Sequence, residues 1–554
     1  MKKYNKIVAL LLVAAMALGL TACGGGSSAG NTLNVMLSTN VMSLDTNLAT
    51  DGDSFEVIAD CIDGLTQMDA EGSAIPALAE SWDVSDVGCT YTFHLRDTKW
   101  SNGTPVTAAD FEYAWKLAMT ANVEYNYMFD SSVGAVKNAD AILYEGADPS
   151  TLGVTALDDK TLQVELEVPV SYFPSLMYFP TFYPINQAFY ESLEDGTYGT
   201  SPKTFLSNGA FILSDYTPGT ASLSLTKNPD YWDAARVKLD GLNYQVVGSS
   251  DNALTGFKNG TLDIAVVGGD QVTSVKNDAE LSKNLQVTGA GYMWYLSFSQ
   301  TENNANGYLA NQNLRLAFTN AIDRQSLVDN YVMDGSLATY TCVPPQFAAS
   351  STTGEDFSAN QDRFKDVCDY NTEAAVKYLD AAKSELGVDT FEFTMVFGNN
   401  EGDEVTKVAQ ALKEQIEATL TGVTITLAPM TKAERLDKMQ NDDYEIALTR
   451  WGPDYADPMT YLGMWVTNNA NNYGFWSNAD YDQLITDCTT GQYVSDYDAR
   501  WSALLDAEKI VMDEAVIAPL YTKANANLIK AGVTNVEFHP VAINRAYKNA
   551  QIAK

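Results

Sequence analysis

Strand and helix patterns alternate through the stretch from Phe391 to Trp451, and this alternation constrains the fold more than any other feature of the sequence. Three apolar runs, FEFTMVF, VTITLAP and YEIALTRW, have the aromatic and β-branched content typical of strands. Two helix patterns separate them, EVTKVAQALKEQIEATL and TKAERLDKMQ, and the second opens with Thr431 and Glu434 in capping-box spacing. Strands joined through helices pair in parallel with right-handed crossovers, so the stretch predicts an open α/β sheet.

The segment RWGPDYADP, Arg450 to Pro458, begins where the third of these strands ends. It carries two carboxylates, Asp454 and Asp457, and two aromatic rings, Trp451 and Tyr455. In open α/β sheets, ligands bind outside the carboxyl ends of the strands. The pattern alone therefore predicts a binding cleft at this segment.

Another region of regular structure is predicted nearer the N-terminus. TYTFHLR, Thr90 to Arg96, alternates apolar and polar residues as a half-buried strand does. After it, Thr107 and Asp110 have the spacing of a capping box, and Phe111 and Trp115 lie on an apolar stripe at helical spacing. The chain mixes strands and helices throughout, and its 554 residues are enough for two or more domains.

The formal net charge of −37 excludes one broad class of partner. A surface this acidic repels phosphate backbones, so nucleic-acid binding is not expected. The charge mildly favours cationic ligands, but it does not identify one.

The first residues of the chain have the pattern of an export signal. The basic stretch MKKYNK precedes an apolar run, Ile7 to Leu20, that is too short to span a bilayer comfortably. The following LTAC and GGGSSAGN resemble a bacterial lipobox, which implies cleavage before Cys23 and a diacylglycerol on its sulfur. Residues 1–22 are then a lipoprotein signal peptide and residues 23–31 a lipidated Gly/Ser tether. A plain signal peptide with an incidental cysteine is the alternative.

Cysteine and histidine usage argues against metal or triad chemistry. The chain has two histidines, His94 and His539, and its six cysteines contain no CxxC pair. The five cysteines after Cys23 are widely spaced, so a disulfide pairing cannot be read from them. No P-loop or HExxH motif is present, and neither a metal nor a cofactor is expected.

Ordered blocks along nearly the whole mature chain resemble one protein family. The most specific is ALAESWDVSDVGCTYTFHLRDTKWSNGTPVTAADFEYAWK, Ala77 to Lys116, in which a strand precedes KWSNGTPVTAADF. Further matching blocks are, in order, NVMSLD, LGVTALDDKTLQVEL, SNGAFIL, NPDYWD, NLRLAFTNAIDR, WGPDYADP and APLYTKANANLIK. On these motifs the chain resembles the extracellular solute-binding proteins of family 5, the peptide-binding lipoproteins of ABC importers.

The resemblance implies an α/β fold of the type II periplasmic-binding-protein class, with two lobes, a two-strand hinge and an extra subdomain in the first lobe. The implied division is a lobe I core of residues 32–70, 206–295 and 521–554, an extra subdomain of residues 71–205, and a lobe II of residues 296–520. The chain is expected to cross between the lobes near Tyr295 to Ser299 and to return near Leu520 to Lys523.

The implied function is capture of oligopeptides in the cleft between the lobes, followed by delivery to the membrane permease of an ABC transporter. The protein is then a monomer, anchored through Cys23 on the extracytoplasmic side of the cell membrane, and not an enzyme. A glycosidase is the enzyme alternative, but with 71 Asp and Glu residues, neighbouring carboxylates are expected without function. Within the same fold, another solute such as an oligosaccharide, or a peptide-signal receptor, stays open.

The resemblance also assigns roles to the segment after the third strand. In this family an Asp in a W-x-x-D-Y pattern holds the ammonium of the ligand, and here the pattern runs from Trp451 to Tyr455. Asp454 is expected to bind the ammonium, with Trp451 and Tyr455 at the ligand; an ordinary turn or cap is the alternative for Asp454. Asp457 precedes Pro458 and is expected to cap the next helix.

Weaker matches add two further groups of candidate ligand contacts. Thr50, Asp51 and Gly52 align with a loop whose backbone pairs with the peptide near its start. Aromatic residues near the hinge strands are also expected to line the cleft, with core packing as the alternative for each: Trp294, Tyr295 and Tyr521.

One departure from the family pattern concerns the far end of the ligand. The family holds a short peptide's carboxylate with Arg and His residues, but the matching positions here are Met439, Leu448 and Val405. Arg450 is shifted along its strand by two positions. The sequence therefore predicts a ligand whose far end is not fixed by charge, such as a longer or modified peptide or a neutral ligand.

Overall fold

A computed structural model describes residues 31–69, 73–120, 123–302, 305–350, 352–494 and 496–553. The predicted signal peptide and the predicted lipidation site, Cys23, lie outside these ranges. Within them, no helix combines the length and the apolar character needed to cross a membrane. The five cysteines in the described ranges are free thiols, and all but Cys89 are buried.

The strands are β1 Thr32–Leu37, β2 Thr66–Met68, β3 Ala74–Pro76, β4 Ala79–Val84, β5 Thr90–Leu95, β6 Val154–Asp158, β7 Thr161–Glu165, β8 Phe211–Asp215, β9 Ser222–Lys227, β10 Gly241–Val246, β11 Ile264–Val267, β12 Leu285–Phe298, β13 Leu337–Ala338, β14 Phe391–Gly398, β15 Val423–Met430, β16 Ile446–Trp451, β17 Ile517–Ile529, β18 Val533–Thr534, β19 Glu537–Phe538, β20 Arg545–Ala546 and β21 Gln551–Ile552.

The α-helices are α1 Gly52–Cys61, α2 Ala108–Ala118, α3 Ala139–Glu145, α4 Phe173–Leu176, α5 Gln187–Tyr190, α6 Ser250–Asn259, α7 Asp270–Asn277, α8 Gln312–Asn320, α9 Arg324–Leu327, α10 Lys365–Cys368, α11 Thr372–Leu386, α12 Asp403–Thr419, α13 Lys432–Gln440, α14 Met459–Leu462, α15 Ala479–Thr489 and α16 Tyr497–Asp513. Short 3-10 helices cover Glu124–Phe129, Pro149–Thr151, Pro180–Phe182, Leu281–Asn284, Ala305–Ala310, Gln361–Phe364 and Gly463–Trp465, and a π-helical turn covers Val328–Val332.

One 11-stranded sheet runs through the molecule in the order β15-β14-β16-β12-β17-β11-β1-β10-β9-β8, with β13 paired to β17. The strand–helix alternation of the sequence is confirmed, because β14 pairs in parallel with both β15 and β16 and the helices α12 and α13 connect them. The predicted capping box also forms, since the Thr431 N–H donates to the Glu434 carboxylate at 2.9 Å. The carboxyl ends of these three strands therefore meet at one edge.

Two long strands, β12 and β17, connect the halves of this sheet. The C-terminal half of β12 pairs with β16, whereas the C-terminal half of β17 pairs with β11. The register between β12 and β17 shifts between Gly289 and Met293, which is where partners change from one half of the sheet to the other. The crossings expected from the sequence fall on the same two strands, a few residues from this shift. The exact lobe boundaries stay a prediction.

A separate antiparallel sheet has the order β4-β5-β7-β6 and lies within the range predicted for the extra subdomain. Alternate residues of β5 are buried, including Tyr91 and Phe93, as the sequence pattern predicts. Helix α2 starts after Thr107, whose N–H donates to the Asp110 carboxylate at 2.9 Å, and it buries the Trp115 indole. The limits of the subdomain, residues 71–205, stay a prediction.

Candidate functional site

The site begins where β16 ends, at the edge of the sheet that the sequence pattern singles out. After Trp451 the chain passes Gly452 and turns towards α14. A side chain at Gly452 would overlap the ring of Tyr292, so the close approach of this ring requires glycine. The N–H of Asp454 donates to the Thr460 hydroxyl at 3.2 Å, which fixes the turn relative to the helix that follows it.

Asp454 is a partly buried carboxylate without a cationic partner. Burial raises its pKa to about 6, and a hydrogen bond from the Tyr127 hydroxyl opposes that shift. Within the described ranges, no lysine or arginine forms an ion pair with it. A carboxylate in this position is destabilised by the loss of water, and a cation bound beside it would restore the favourable charge interaction.

Two cavities meet at Asp454, and both are also lined by Trp451, Tyr127 and Glu124. The first, here called the polar cavity, has a volume of about 320 Å³. Its further lining includes Thr50, Gly52, Lys432, Arg450 and Asn544. The second, here called the apolar cavity, has a volume of about 810 Å³. Its further lining includes Val133, Met459, Gly463, Met464, Val466 and Ile485.

Trp451 contributes more than a wall to these cavities. Its indole Nε1 is buried and has no hydrogen-bond partner among the residues of the described ranges. A buried N–H that stays unpaired costs about 1–3 kcal/mol. The Trp451 N–H is therefore a donor available to a ligand that enters beside Asp454.

The loop before α1 divides into a helix cap and two cavity residues. Thr50 and Gly52 line the polar cavity. The carboxylate of Asp51 instead accepts the N–H of Ser54 at 2.9 Å and so caps α1. A Cβ at Gly52 would lie 3.3 Å from the Asn544 Nδ2, so this position is also tightly packed.

The three aromatic residues expected near the hinge lie in the core and line neither cavity. Trp294 and Tyr521 are 3% and 1% exposed, and their rings stack on each other at 5.8 Å. Tyr295 is 1% exposed and meets the Trp465 ring edge to face. The core-packing interpretation therefore fits Trp294, Tyr295 and Tyr521 better than ligand contact does.

In the second half of the RWGPDYADP segment, Tyr455 borders the apolar cavity and Asp457 has a structural role. Tyr455 lines the apolar cavity, and its ring stacks on Tyr172 with a centroid distance of 4.7 Å. Asp457 forms a two-point ion pair with Arg500, with both N–O distances 2.8 Å, and accepts the N–H of Met459 at 2.9 Å. Asp457 therefore supports the start of α14, as its place before proline predicts.

The far wall of the polar cavity is charged, contrary to the expectation from the sequence. The three positions that carry cations in the family are indeed apolar and fully buried: Met439, Leu448 and Val405. Arg450 and Lys432 nevertheless line the cavity. The Arg450 Nε lies 3.1 Å from Glu401, and its guanidinium lies 4.6 Å from the centroid of the Tyr292 ring. Two elements thus supply cations to this cavity, and of these the position-by-position comparison overlooked Lys432.

Of these two cations, Lys432 is the one without a polar partner among the described residues. Its side chain is exposed, and among the residues of the described ranges its ammonium forms no hydrogen bond or ion pair. Surrounding protein atoms, and then the charge of Arg450, lower its pKa. Glu401 is shared between Arg450 and Arg435 and leaves this wall with an excess of positive charge.

Sequence reasoning missed several of the residues around Asp454. Tyr127 and Glu124 belong to the 3-10 helix Glu124–Phe129, which has no periodic pattern that would mark a site. Lys432 is the first residue of α13 and reads as an ordinary solvent-exposed lysine beside a helix cap. The only available signal was its place after β15, whose carboxyl end lies at the same edge of the sheet as that of β16, with β14 between them.

The fold and the site define a class of protein: a large α/β protein whose main sheet contains two long connecting strands, with a partly buried carboxylate at the strand ends that has no cationic partner among the described residues. A family model for bacterial extracellular solute-binding proteins, family 5, matches residues 73–473. The chain belongs to this family.

Curated relatives match over nearly the full chain. The chain is 31% identical to the dipeptide-binding protein of Lactococcus lactis subsp. cremoris, over 99% of this chain and 100% of the relative. It is 32% identical to the oligopeptide-binding protein OppA of Bacillus subtilis, over 94% of each. Among solved structures, Listeria monocytogenes OppA bound to peptide matches with a TM-score of 0.75 and 32% identity, covering 95% of this chain and 100% of that one. The predicted type II periplasmic-binding-protein fold is confirmed.

Proposed function

We propose that this protein captures oligopeptides with a free amino terminus and delivers them to the permease of an ABC transporter. The observation that carries the proposal is the Asp454 carboxylate, which is partly buried at the meeting point of two cavities and has no cationic partner among the described residues. Relatives named as dipeptide-binding and oligopeptide-binding proteins support the same ligand class.

A peptide's α-ammonium has the charge and the donors that this position lacks. Its N–H groups can donate to the Asp454 carboxylate, and charge-assisted hydrogen bonds of this kind contribute about 1.5–3 kcal/mol each. The buried indole N–H of Trp451 can donate to the first carbonyl of the ligand. Both groups line both cavities, so a bound peptide supplies the missing cation at Asp454 and the missing acceptor at Trp451 together.

Capture requires that the two lobes close on the ligand. Thr50 and Gly52 come from the predicted lobe I core, and Lys432, Arg450 and Asp454 come from the predicted lobe II. A ligand that contacts both groups stabilises the closed form. Strands β12 and β17 supply the hinge, and the loaded monomer docks on the permease while Cys23 and its lipid hold it at the outer face of the membrane. The protein releases its ligand unchanged, without catalysis.

Calorimetry with matched peptides tests the ligand class. We expect a free-amine tripeptide to bind and its N-acetylated form to bind at least tenfold more weakly, because acetylation removes the charge that pairs with Asp454. Asp454→Asn should lose most of the affinity for the free-amine peptide while keeping the fold. Asp506→Asn, at an exposed position of α16, is the matched control and should bind like the wild type.

The same experiment decides between the ligand classes that the fold allows. Equal affinity of the wild type and Asp454→Asn for the free-amine peptide contradicts the proposed role of this carboxylate. Binding of a cello- or xylo-oligosaccharide in place of every peptide assigns the cavities to sugars, since aromatic rings such as Trp451 and Tyr125 also suit sugar faces. Import and peptide signalling use the same cleft and are separated by uptake measurements in the host.

A further inference from the structure

Asp454 lines both the polar and the apolar cavity, and the place where the two cavities meet is here called the fork. The two cavities, the branches of this fork, differ in the chemistry of their lining. The polar cavity offers polar groups and positive charge: Thr50, Asn544, Lys432 and Arg450. The apolar cavity offers aliphatic and thioether side chains together with serine, threonine and asparagine residues, including Ser131, Thr460, Thr486 and Asn469. A ligand held at the fork can therefore extend in two chemically distinct directions.

Buried side chains form part of the lining of the apolar cavity, and exposed residues such as Thr486 and Thr490 lie at its opening. Met459 and Met464 are each 3% exposed, and Ile485 is 5% exposed, so their side chains are held by the surrounding packing. Three separate parts of the chain form the lining: the segment containing Val133, the α14 region and helix α15. At about 810 Å³ the cavity has the size of a small-molecule pocket, roughly 300–1,000 Å³. A cavity of this volume can hold any amino-acid side chain, so the chemistry of its lining decides which side chain binds.

The covalent geometry of a peptide assigns one branch to each of its substituents. The carbon that bears the α-ammonium also bears the first side chain and the first carbonyl, so with the ammonium at Asp454 these two groups diverge at the fork. Peptide backbone and a terminal carboxylate suit the polar cavity, where Thr50, Asn544 and the cations Lys432 and Arg450 line the wall. The first side chain then enters the apolar cavity.

We propose that the apolar cavity is the specificity pocket for the first side chain of the ligand and selects peptides that begin with a large apolar residue. This inference rests on the proposed function and adds the substrate class. Leucine, methionine and phenylalanine side chains match the Met459, Met464 and Ile485 lining. An acidic first residue is disfavoured, because Asp454 and Glu124 both lie at the entrance and repel a second carboxylate.

Gly463 provides a direct way to fill the pocket. It lies on the cavity wall with helical backbone angles, φ −60° and ψ −23°, so any L residue fits its backbone. A Cβ there would meet the Met459 sulfur at 3.6 Å, an ordinary contact distance. Gly463→Leu should therefore occupy the apolar cavity without straining the chain, and Gly463→Ala should occupy little of it. Gln483→Leu adds the same side chain to an exposed position of α15 and is the matched control.

The test measures three free-amine tripeptides, Leu-Ala-Ala, Gly-Ala-Ala and Asp-Ala-Ala, by calorimetry on the full chain. In the wild type and in Gln483→Leu, we expect Leu-Ala-Ala to bind about tenfold to hundredfold more tightly than Gly-Ala-Ala, since burial of a leucine side chain is favourable by this factor. Asp-Ala-Ala should bind more weakly than Gly-Ala-Ala. In Gly463→Leu the preference for leucine should disappear, while Gly-Ala-Ala keeps its affinity to within about threefold.

Each contrary result overturns a defined part of this assignment. Equal wild-type affinity for all three peptides overturns the specificity pocket and leaves the proposed function standing. Equal loss of Leu-Ala-Ala and Gly-Ala-Ala in Gly463→Leu shows that the peptide chain, and not the first side chain, enters the apolar cavity, which also overturns it. If the wild type binds none of the three, the proposed function fails and this inference fails with it. Gly463→Ala, which adds only a methyl group, repeats the comparison if Gly463→Leu does not fold.

Discussion

Peptide affinity should depend on pH through Asp454. Burial holds the pKa of this carboxyl at about 6 in the empty protein, against an ordinary value of 3.8. The difference corresponds to about 3 kcal/mol of unfavourable charge burial. A peptide ammonium binds the ionised carboxylate, so binding shifts this group towards its deprotonated form and lowers its pKa. Affinity is therefore full above the empty-state pKa and is lost as the pH falls through about 6.

The size of the effect follows from the protonated fraction. About half of the Asp454 carboxyls are protonated at pH 6, so affinity for a free-amine peptide should fall about tenfold from its plateau by pH 5 and about hundredfold by pH 4. Above about pH 8 the peptide's own amino group loses its proton, and affinity should fall again. Tyr127 donates a hydrogen bond to Asp454, and burial raises the pKa of Tyr127 well above its usual range, so this tyrosine stays neutral throughout.

Calorimetry at pH 6 in two buffers with different ionisation enthalpies gives the most direct measurement. We expect release of about half a proton per peptide bound at pH 6, and a net uptake of about 0.3 proton at pH 7.5, where part of the free peptide's amino groups must first gain a proton. Asp454→Asn should abolish the release, whereas Glu124→Gln should preserve it and so separates the two carboxyls at the fork. Proton uptake at pH 6, or an acid limb that begins only below pH 4.5, contradicts the assignment of the raised pKa to an empty ammonium site.

Three further predictions concern the same region. Asp454→Asn should raise the thermal stability of the empty protein at pH 8 far more than at pH 4, because the cost of ionising the buried carboxyl grows as the pH rises from its ordinary pKa of 3.8 to about 6 and is full above that, and asparagine cannot ionise. Lys432→Gln should weaken short peptides with a free C-terminal carboxylate but not their amides, whereas Lys438→Gln, on the same helix but paired with Asp443, should change neither affinity in calorimetry. Arg500→Met should lower the free energy of unfolding, measured in urea, by about 3–5 kcal/mol, because it leaves the buried Asp457 carboxylate unpaired.

Local periodicity explains why so much of the fold could be predicted. The strands β14, β15 and β16 and the helices between them are short, regular and strongly patterned, and parallel pairing then follows from their order. The same rule pointed to the segment after β16, because it needs only the end of a strand and the residues beyond it, and the W-x-x-D-Y resemblance then singled out Asp454. The register shift between Gly289 and Met293 could not be predicted, since it depends on which neighbours pair with each half of β12.

The rest of the site depends on contacts between distant parts of the chain. Trp294 and Tyr521 look like cleft residues in the sequence because aromatic rings serve both cores and binding walls, and only their mutual stacking distinguishes the two uses. The apolar residues at the matching family positions correctly indicated lost cations, but Lys432 enters the same cavity from the start of a different element. A position-by-position comparison cannot detect a charge that has moved to another element.

We expect closure of the proposed cleft to depend partly on a contact within the protein, between the predicted subdomain and the predicted lobe II. Tyr172, within the predicted subdomain, stacks on Tyr455 with an interplanar angle of 10°, and the Arg500 guanidinium lies 5.5 Å from the centroid of the Tyr172 ring. An aromatic pair of this kind contributes about 0.5–1.5 kcal/mol, so Tyr172→Ala should shift the protein towards the open form and weaken every peptide by the same factor, about 2- to 13-fold.

A change inside a specificity pocket would instead alter the ratio of affinities between peptides. Calorimetry of Leu-Ala-Ala and Gly-Ala-Ala should give an unchanged ratio of affinities in Tyr172→Ala. Tyr172→Phe keeps the ring but loses the hydrogen bonds of the tyrosine hydroxyl to the Val133 carbonyl, 3.0 Å long, and with the Tyr455 hydroxyl, so it should lose less affinity than Tyr172→Ala. A ratio that changes in Tyr172→Ala means that this ring shapes the apolar cavity itself, since Tyr455 and Val133 line that cavity and both contact Tyr172. A constant ratio with lower affinity means that the stacked pair acts on the equilibrium between the open and closed forms, separately from ligand selection.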